Sequence, residues 1–158
     1  MIVVDVETTG LDERKHSIVS IGAVELYKPD NQFSIDCCIW DGAEISKEAL
    51  AVNGFTEEQV RDRSKISAGE AAVTFIEWAK RCDEWTLAGE NPSFDAKFLK
   101  AAVDKYNATD FIAHRNRQAY LRQEQESNPH ESYGVFVNCP DLEPVEWPFG
   151  YRTYDVHT

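Results

Sequence analysis

Residues 2–8, Ile-Val-Val-Asp-Val-Glu-Thr, are rich in β-branched side chains and predict a strand. Thr9-Gly10-Leu11 turns out of it. Residues 17–27 predict a second strand, Lys28-Pro29-Asp30-Asn31 a turn, and residues 32–40 a third strand. Connections this short favour an antiparallel meander. The apolar period then lengthens. Residues 46–52 suit a short helix that Asn53-Gly54 breaks, and Thr56-Glu57-Glu58 opens another. Ser67-Ala68-Gly69-Glu70 is a capping box heading a helix in which Ala72, Phe75, Ile76 and Ala79 share one face. Residues 85–89 predict a strand, and Pro92-Ser93 opens a helix reaching about Asn107. A further helix is expected at 110–126. Residues 127–150, with Pro129, Pro140, Pro144, Pro148 and Gly150, read as mostly loop, and 151–156 as a last strand. The order β-β-β-α-β-α-(α)-β predicts an α/β domain over residues 1–158, built on a mixed sheet with flanking helices.

Charge narrows the function. Sixteen basic against 28 acidic residues give a net charge of −12. That excludes tight, sequence-independent coating of DNA, which needs many Lys and Arg contacts to phosphate. It leaves room for an enzyme that holds nucleic acid through metal ions and a small local basic patch. No apolar run approaches a membrane span, and no basic and apolar leader follows Met1, so neither insertion nor secretion is expected. Cys37, Cys38, Cys82 and Cys139 form no C-x-x-C pair, and neighbours 37 and 38 point to opposite faces of a strand. They read as reduced thiols of a cytoplasmic protein rather than as disulfides or a zinc site.

Three acids stand out. Asp5 and Glu7 lie two apart on the first strand and therefore on one face, with Ile2, Val4 and Val6 on the other. Two adjacent carboxylates repel, and a hard cation would relieve them; the alternative is a solvated strand face. The Ile-Val-Val start suggests a central strand covered on both sides. Asp95 falls in the first turn of its helix, on the face of Phe98, Leu99, Ala102 and Val103, so it points inward. The alternative is an acid that favours the helix dipole from the solvent side.

These acids carry a resemblance. Asp5-Val6-Glu7-Thr8-Thr9-Gly10 resembles the first motif (D-x-E-x-T-G) of the DEDD, or DnaQ-like, 3′–5′ exonucleases. Asn91-Pro92-Ser93-Phe94-Asp95-Ala96-Lys97-Phe98-Leu99 resembles the second (N-x-x-F-D-x-x-F-L), and Ala51-Val52-Asn53-Gly54-Phe55-Thr56 a connecting segment between them. The resemblance implies a ribonuclease-H-like fold and a two-metal hydrolysis of phosphodiesters in single-stranded DNA or RNA. It implies two divalent cations, Mg²⁺ or Mn²⁺, with Asp5, Glu7 and Asp95 as ligands. It also implies that the backbone of Thr8, Thr9 and Gly10 approaches the 3′-terminal nucleotide. Leu11 would pack on its base, unless Leu11 is simply core, and Asn91 would touch the backbone.

The family also needs a fourth carboxylate and a base. One branch has Asp five residues after His. The residues five on from His16, His114 and His130 are Ile21, Ala119 and Val135, and His157 has no such position, so that pattern is absent. The other branch has Asp four residues after Tyr on a helix. Tyr151 and Asp155 match the spacing, but their surroundings favour a strand, where residues four apart lie roughly 13 Å apart. Asp155 is kept as a candidate fourth acid despite this, with Tyr151 or His157 assisting. The competing expectation is that Asp155-Val156-His157-Thr158 is the strand preceding the third motif, and that the domain lacks its C-terminal helix.

Two other functions compete with a working exonuclease. One is an exonuclease-like domain that binds metal or a partner without cutting. The other is a haloacid-dehalogenase-type phosphatase, disfavoured because that family has Asp at both first-strand positions and a parallel sheet. Arg115, Arg117, Arg122, Lys97 and Lys100 are candidates for a basic patch, and Trp40, Trp78, Trp85 and Trp147 for base stacking, with Trp78 more at home in the core.

Overall fold

The computed structural model describes residues 1–111, 144–150 and 153–155. A five-stranded mixed sheet organises them. Strand β1 (Ile2–Thr8) pairs antiparallel with β2 (Ile18–Glu25), which pairs antiparallel with β3 (Lys28–Asp36). On its other edge β1 runs parallel to β4 (Leu87–Gly89), and β4 parallel to β5 (Thr153–Asp155), giving the order β3-β2-β1-β4-β5. The expected meander plus parallel strands is therefore the observed fold.

Short helices α1 (Lys47–Asn53) and α2 (Glu57–Val60) follow β3. Ser67 caps α3 (Ala68–Ala79) through the expected reciprocal bonds with Glu70. Helix α4 (Pro92–Tyr106) starts after Asn91 and runs directly into a π-helical turn, Asn107–Phe111. The rest of the helix expected at 110–126 lies outside the described residues. Residues 144–150 carry no helix or strand, as expected, yet they pack. Asn107 exchanges two 2.9 Å hydrogen bonds with the Val145 backbone, and Phe149 stacks on Phe75 at 5.9 Å.

The core lies where α3 and α4 cover one face of the sheet. Phe75, Ile76, Phe98 and Leu99 meet Ile2, Val4, Val6 and Ile21 there. A bulge opposite Glu7 and Thr8 leaves Val19 unpaired, so that Ile18 and Ile21 both face this core. Val19 instead joins Ile39, Ala43 and Val60 in a smaller cluster.

The second hairpin corrects the sequence reading. Its turn is Leu26-Tyr27, with Tyr27 at φ 70°, and the strand begins at Lys28. Lys28 pairs with Glu25 while Gln32 pairs with Val24, so Pro29, Asp30 and Asn31 bulge out of an edge strand. The turn signal was real, but an edge strand tolerates such residues in a bulge. The strand ends at Asp36, because Cys38 and Ile39 leave β2 and donate to Ile66 and Val60 carbonyls. Cys37, Cys38 and Cys82 are free thiols. Burial pushes the Cys37 thiol up to about 12. Among the described residues no helix is long and apolar enough to cross a membrane.

Candidate active site

Alternation along β1 buries Ile2, Val4, Val6 and Thr8 and turns Asp5 and Glu7 to the opposite face. Asp5 is exposed and Glu7 half-buried, so β1 is central in the sheet but not covered on both sides. The helices α3 and α4 cover only the face carrying Val4 and Val6, which is why the other face keeps its carboxylates near solvent.

The edge of β1 toward β4 is only partly used. The Ile2 N–H donates to the Thr86 carbonyl at 2.8 Å, and the parallel register ends at Val3 opposite Ala88. Farther along the same edge the Val6 N–H has no strand to pair with. Asp95 Oδ1 accepts it at 2.7 Å. Asp95 reaches that position because Pro92 starts α4 immediately beyond β4 and sets the first turn against β1. Gly89 allows the approach, since a Cβ there would lie 3.0 Å from the Val4 carbonyl oxygen.

Asp95 is 5% exposed. Burial pushes its carboxyl up to about 6; the Val6 N–H opposes that rise, and the charges of Asp5 and Glu7 add to it. Burial, and then the Asp5 charge, also raises the Glu7 carboxyl. The inward aspect expected for Asp95 is observed, and the three acids feel one another. Among the described residues, however, no three His, Cys, Asp or Glu side chains converge into a finished metal site. The donor chemistry still fits a hard divalent cation: all three offer carboxylate oxygen, and a cation offsets both the burial that chiefly lifts Glu7 and Asp95 and the repulsion that adds to it.

The segment after β1 is held by its own threonines. Thr8 Oγ1 donates to the Gly10 carbonyl at 2.6 Å, and Thr9 Oγ1 donates to the Glu44 carbonyl at 2.7 Å. The Thr8 and Thr9 carbonyls accept from Asn53 Nδ2 at 3.0 Å and the Ser46 N–H at 2.7 Å. Those side chains and carbonyls are committed to the fold, so this turn is a rigid platform. Gly10 is required by close approach: a Cβ would lie 2.2 Å from the His16 ring. Nothing in the sequence marked His16 as the floor of this loop, because the contact crosses a turn. Leu11 is 80% exposed, so the core alternative for it is wrong. Asn91 is exposed at the start of α4, makes no side-chain cap, and accepts from Ser93 Oγ at 3.0 Å.

Asp155 ends β5, in register with Gly89 of β4. It stands two strands from β1, about 10 Å across the sheet at the usual strand spacing. Asp155 itself lies on a strand rather than a helix. Tyr151 and His157 lie outside the described residues, as do Arg115, Arg117 and Arg122. Lys97 and Lys100, named as candidates for a basic patch with an ordinary solvated face as the favoured alternative, are exposed and pair with Glu13 at 3.6 Å and Asp104 at 3.3 Å. Trp78 and Trp147 are packed with the core.

The exonuclease family model RNase_T matches residues 2–128. The chain belongs to this exonuclease family. The family is that of the DnaQ-like 3′–5′ exonucleases its motifs resemble. Among its relatives, the PolC-type DNA polymerase III of Thermotoga maritima is 27% identical over 110 residues, 70% of this chain and 8% of the relative. Ribonuclease T of Haemophilus influenzae is 25% identical over 117 residues, 66% of this chain and 51% of the relative. The domain thus spans about half of one relative and a small part of the other. In fold it is similar to E. coli exonuclease I in complex with a dT13 oligonucleotide. That match has a TM-score of 0.57 and 16% identity, over 67% of this chain and 24% of the other. A related structure is the zinc ion bound form of the exonuclease I–ssDNA complex, with a TM-score of 0.55 and 15% identity, over 67% of this chain and 23% of the other.

Proposed function

We propose that this domain is a metal-dependent 3′–5′ exonuclease that hydrolyses phosphodiester bonds of single-stranded DNA or RNA and releases nucleoside monophosphates. The observation that carries the reading is the Asp95–Val6 bond, which sets a buried helix carboxylate beside the two acids of β1. Asp5, Glu7 and Asp95 would hold two divalent cations, Mg²⁺ or Mn²⁺, with Asp155 as a fourth acid. When bound, such ions lower the pKa of an attacking water and stabilise charge on the leaving 3′ oxygen.

The chain's own residues supply the rest. The Val6 N–H fixes one Asp95 oxygen. The braced turn at Thr8, Thr9 and Gly10 offers a preorganised backbone surface to the terminal nucleotide, at little ordering cost. Exposed Leu11 offers an apolar face for the base, and exposed Asn91 an amide for the sugar-phosphate chain. Tyr151 and His157 remain the candidates for assisting proton transfer. Unpaired Cys37, Cys38 and Cys82 suit a reducing, cytoplasmic setting. The oligonucleotide complexes of exonuclease I support a single-stranded partner.

A second reading is a domain that binds metal or a partner without hydrolysis. It is favoured by acids that, among the described residues, do not converge into a three-ligand set. One experiment separates the two. The chain is incubated with 5′-labelled single-stranded DNA and RNA in Mn²⁺ or EDTA, beside Asp5→Ala. A metal-dependent ladder shrinking from the 3′ end, absent for Asp5→Ala, is expected. A folded chain that binds Mn²⁺ and leaves both oligonucleotides intact would overturn the exonuclease reading in favour of the second.

A further inference from the structure

Away from the acids, the segment after β3, the approach to α3 and the end of α4 enclose a cavity of about 410 Å³. That is the size range of small-ligand sites. Its wall carries three cations, Arg63, Lys65 and Lys105, on a chain whose net charge is −12. Lys105 Nζ stands 3.6 Å over the Trp40 ring. Lys65 Nζ donates to the Gln59 carbonyl at 2.9 Å. Among the described residues, neither lysine forms an ion pair with a carboxylate, whereas Arg63 pairs with Asp41 at 2.6 Å. Both lysines are half-buried, so their charge is screened less than that of the exposed, paired lysines elsewhere. Ala68, Gly69 and Ala102 add small residues to its lining.

We propose that this cavity is a second binding site for the nucleic-acid strand, taking one nucleotide unit several positions from the reacting 3′ end. Lys65 and Lys105 contact its phosphate, and the Trp40 indole lines the space for its base. The chemistry fits such a ligand: the cations favour an anion, and the aromatic and small apolar walls suit a flat ring. Lys105 lies ten residues beyond Asp95 on α4, about 15 Å along the helix. The proposal rests on the nucleic-acid reading above and extends it from the terminal nucleotide to the length of the strand.

The test measures binding without hydrolysis. The whole chain, in EDTA, is titrated against 5′-fluorescein-labelled dT3 and dT10 by anisotropy, beside the Lys65→Ala/Lys105→Ala double variant and Trp40→Leu. Thermal unfolding checks that each variant folds. The wild-type chain is expected to bind dT10 about tenfold tighter than dT3, from two lysine contacts to one added phosphate and one base held beside the indole. The double variant should lose most of that gain and leave dT3 affinity unchanged, and Trp40→Leu should lose part of it. Equal affinity for the two lengths, a gain that survives in the double variant, or no binding of either would overturn the proposal. AMP quenching of tryptophan fluorescence that disappears in the double variant, with no length gain, would assign the cavity to a free mononucleotide and also overturn it. Loss of the length gain in a chain that never cuts would leave this site standing while the exonuclease reading fell. Cutting with the gain intact in the double variant would do the reverse.

Discussion

Asp95 Oδ1 and the Val6 N–H, 89 residues apart in sequence, form a buried 2.7 Å hydrogen bond at the point where β1 loses its parallel neighbour. The same carboxylate therefore closes a gap in the sheet and faces the acids of β1. Replacing it separates those roles. Asp95→Leu leaves a buried donor unpaired and should cost about 1–3 kcal/mol. Asp95→Asn keeps an acceptor and should cost much less, while abolishing metal-dependent cleavage as fully as Asp95→Leu. Urea unfolding and the oligonucleotide ladder, run on both variants, check this.

The raised Asp95 carboxyl also has a pH signature. The folded chain holds the proton up to about pH 6, while the unfolded chain releases it near the ordinary Asp value of 3.8. This contribution to stability is complete below pH 3.8 and is lost as pH rises through about 6. The wild-type minus Asp95→Asn difference in unfolding free energy should fall across that window in EDTA and be flat above it. Adding Mn²⁺ should move the fall to lower pH, because a cation favours the ionised form. A difference that stays constant from pH 4 to 7 would contradict the assignment.

Glu25 behaves in the opposite sense. It is buried and accepts from the Asp83 N–H at 2.9 Å and Asn31 Nδ2 at 2.7 Å, with Lys28 nearby at 3.6 Å. The Asp83 and Asn31 bonds hold its carboxyl below the usual value. Its contribution is present above the ordinary Glu value of 4.5 and is lost as pH falls through the lowered one. Glu25→Gln should flatten the acid limb of the stability curve relative to wild type, as followed by thermal unfolding from pH 3 to 6.

Asp5 is exposed and makes no structural bond among those described. Asp5→Ala should leave unfolding free energy within about 0.5 kcal/mol of wild type. Its cleavage rate should nevertheless fall by a hundredfold or more, roughly the scale of losing one preorganised electrostatic group. A large fall in stability would mean that Asp5 serves the fold instead.

Gly10→Ala drives a methyl group into the His16 ring. Overpacking of this kind costs about 1–3 kcal/mol and should displace the turn that follows β1. His16→Ala removes the obstacle, so the double variant Gly10→Ala/His16→Ala should recover stability that Gly10→Ala alone loses. A double-mutant cycle by denaturant unfolding reads the interaction directly.

The sequence by itself determined the elements and their order. Capping residues Ser67 and Glu70, the Asn53-Gly54 stop, Pro92 at the head of α4 and the β-branched run of β1 act over a few residues. Local chemistry of that range is readable without a fold. So was the inward face of Asp95, because helical spacing relates it to Phe98 and Leu99. The turn chemistry of Pro29-Asp30-Asn31 was legible too, but whether it made a turn or a bulge depended on the β2 register, which the strand's partner sets.

Tertiary structure decided what crosses the chain. The exposure of the Asp5 face depended on which side of the sheet α3 and α4 covered. The close fit of Gly10 on His16 and the bond from Asp95 to Val6 are contacts between segments whose spacing carries no period. Charge placement was likewise a tertiary property. Nothing in the sequence distinguishes Lys97 and Lys100 from Lys65 and Lys105. Only folding brings Glu13 and Asp104 to the first pair and gathers the second beside Trp40, because an ion pair is settled by distance in space and screening around it rather than by composition.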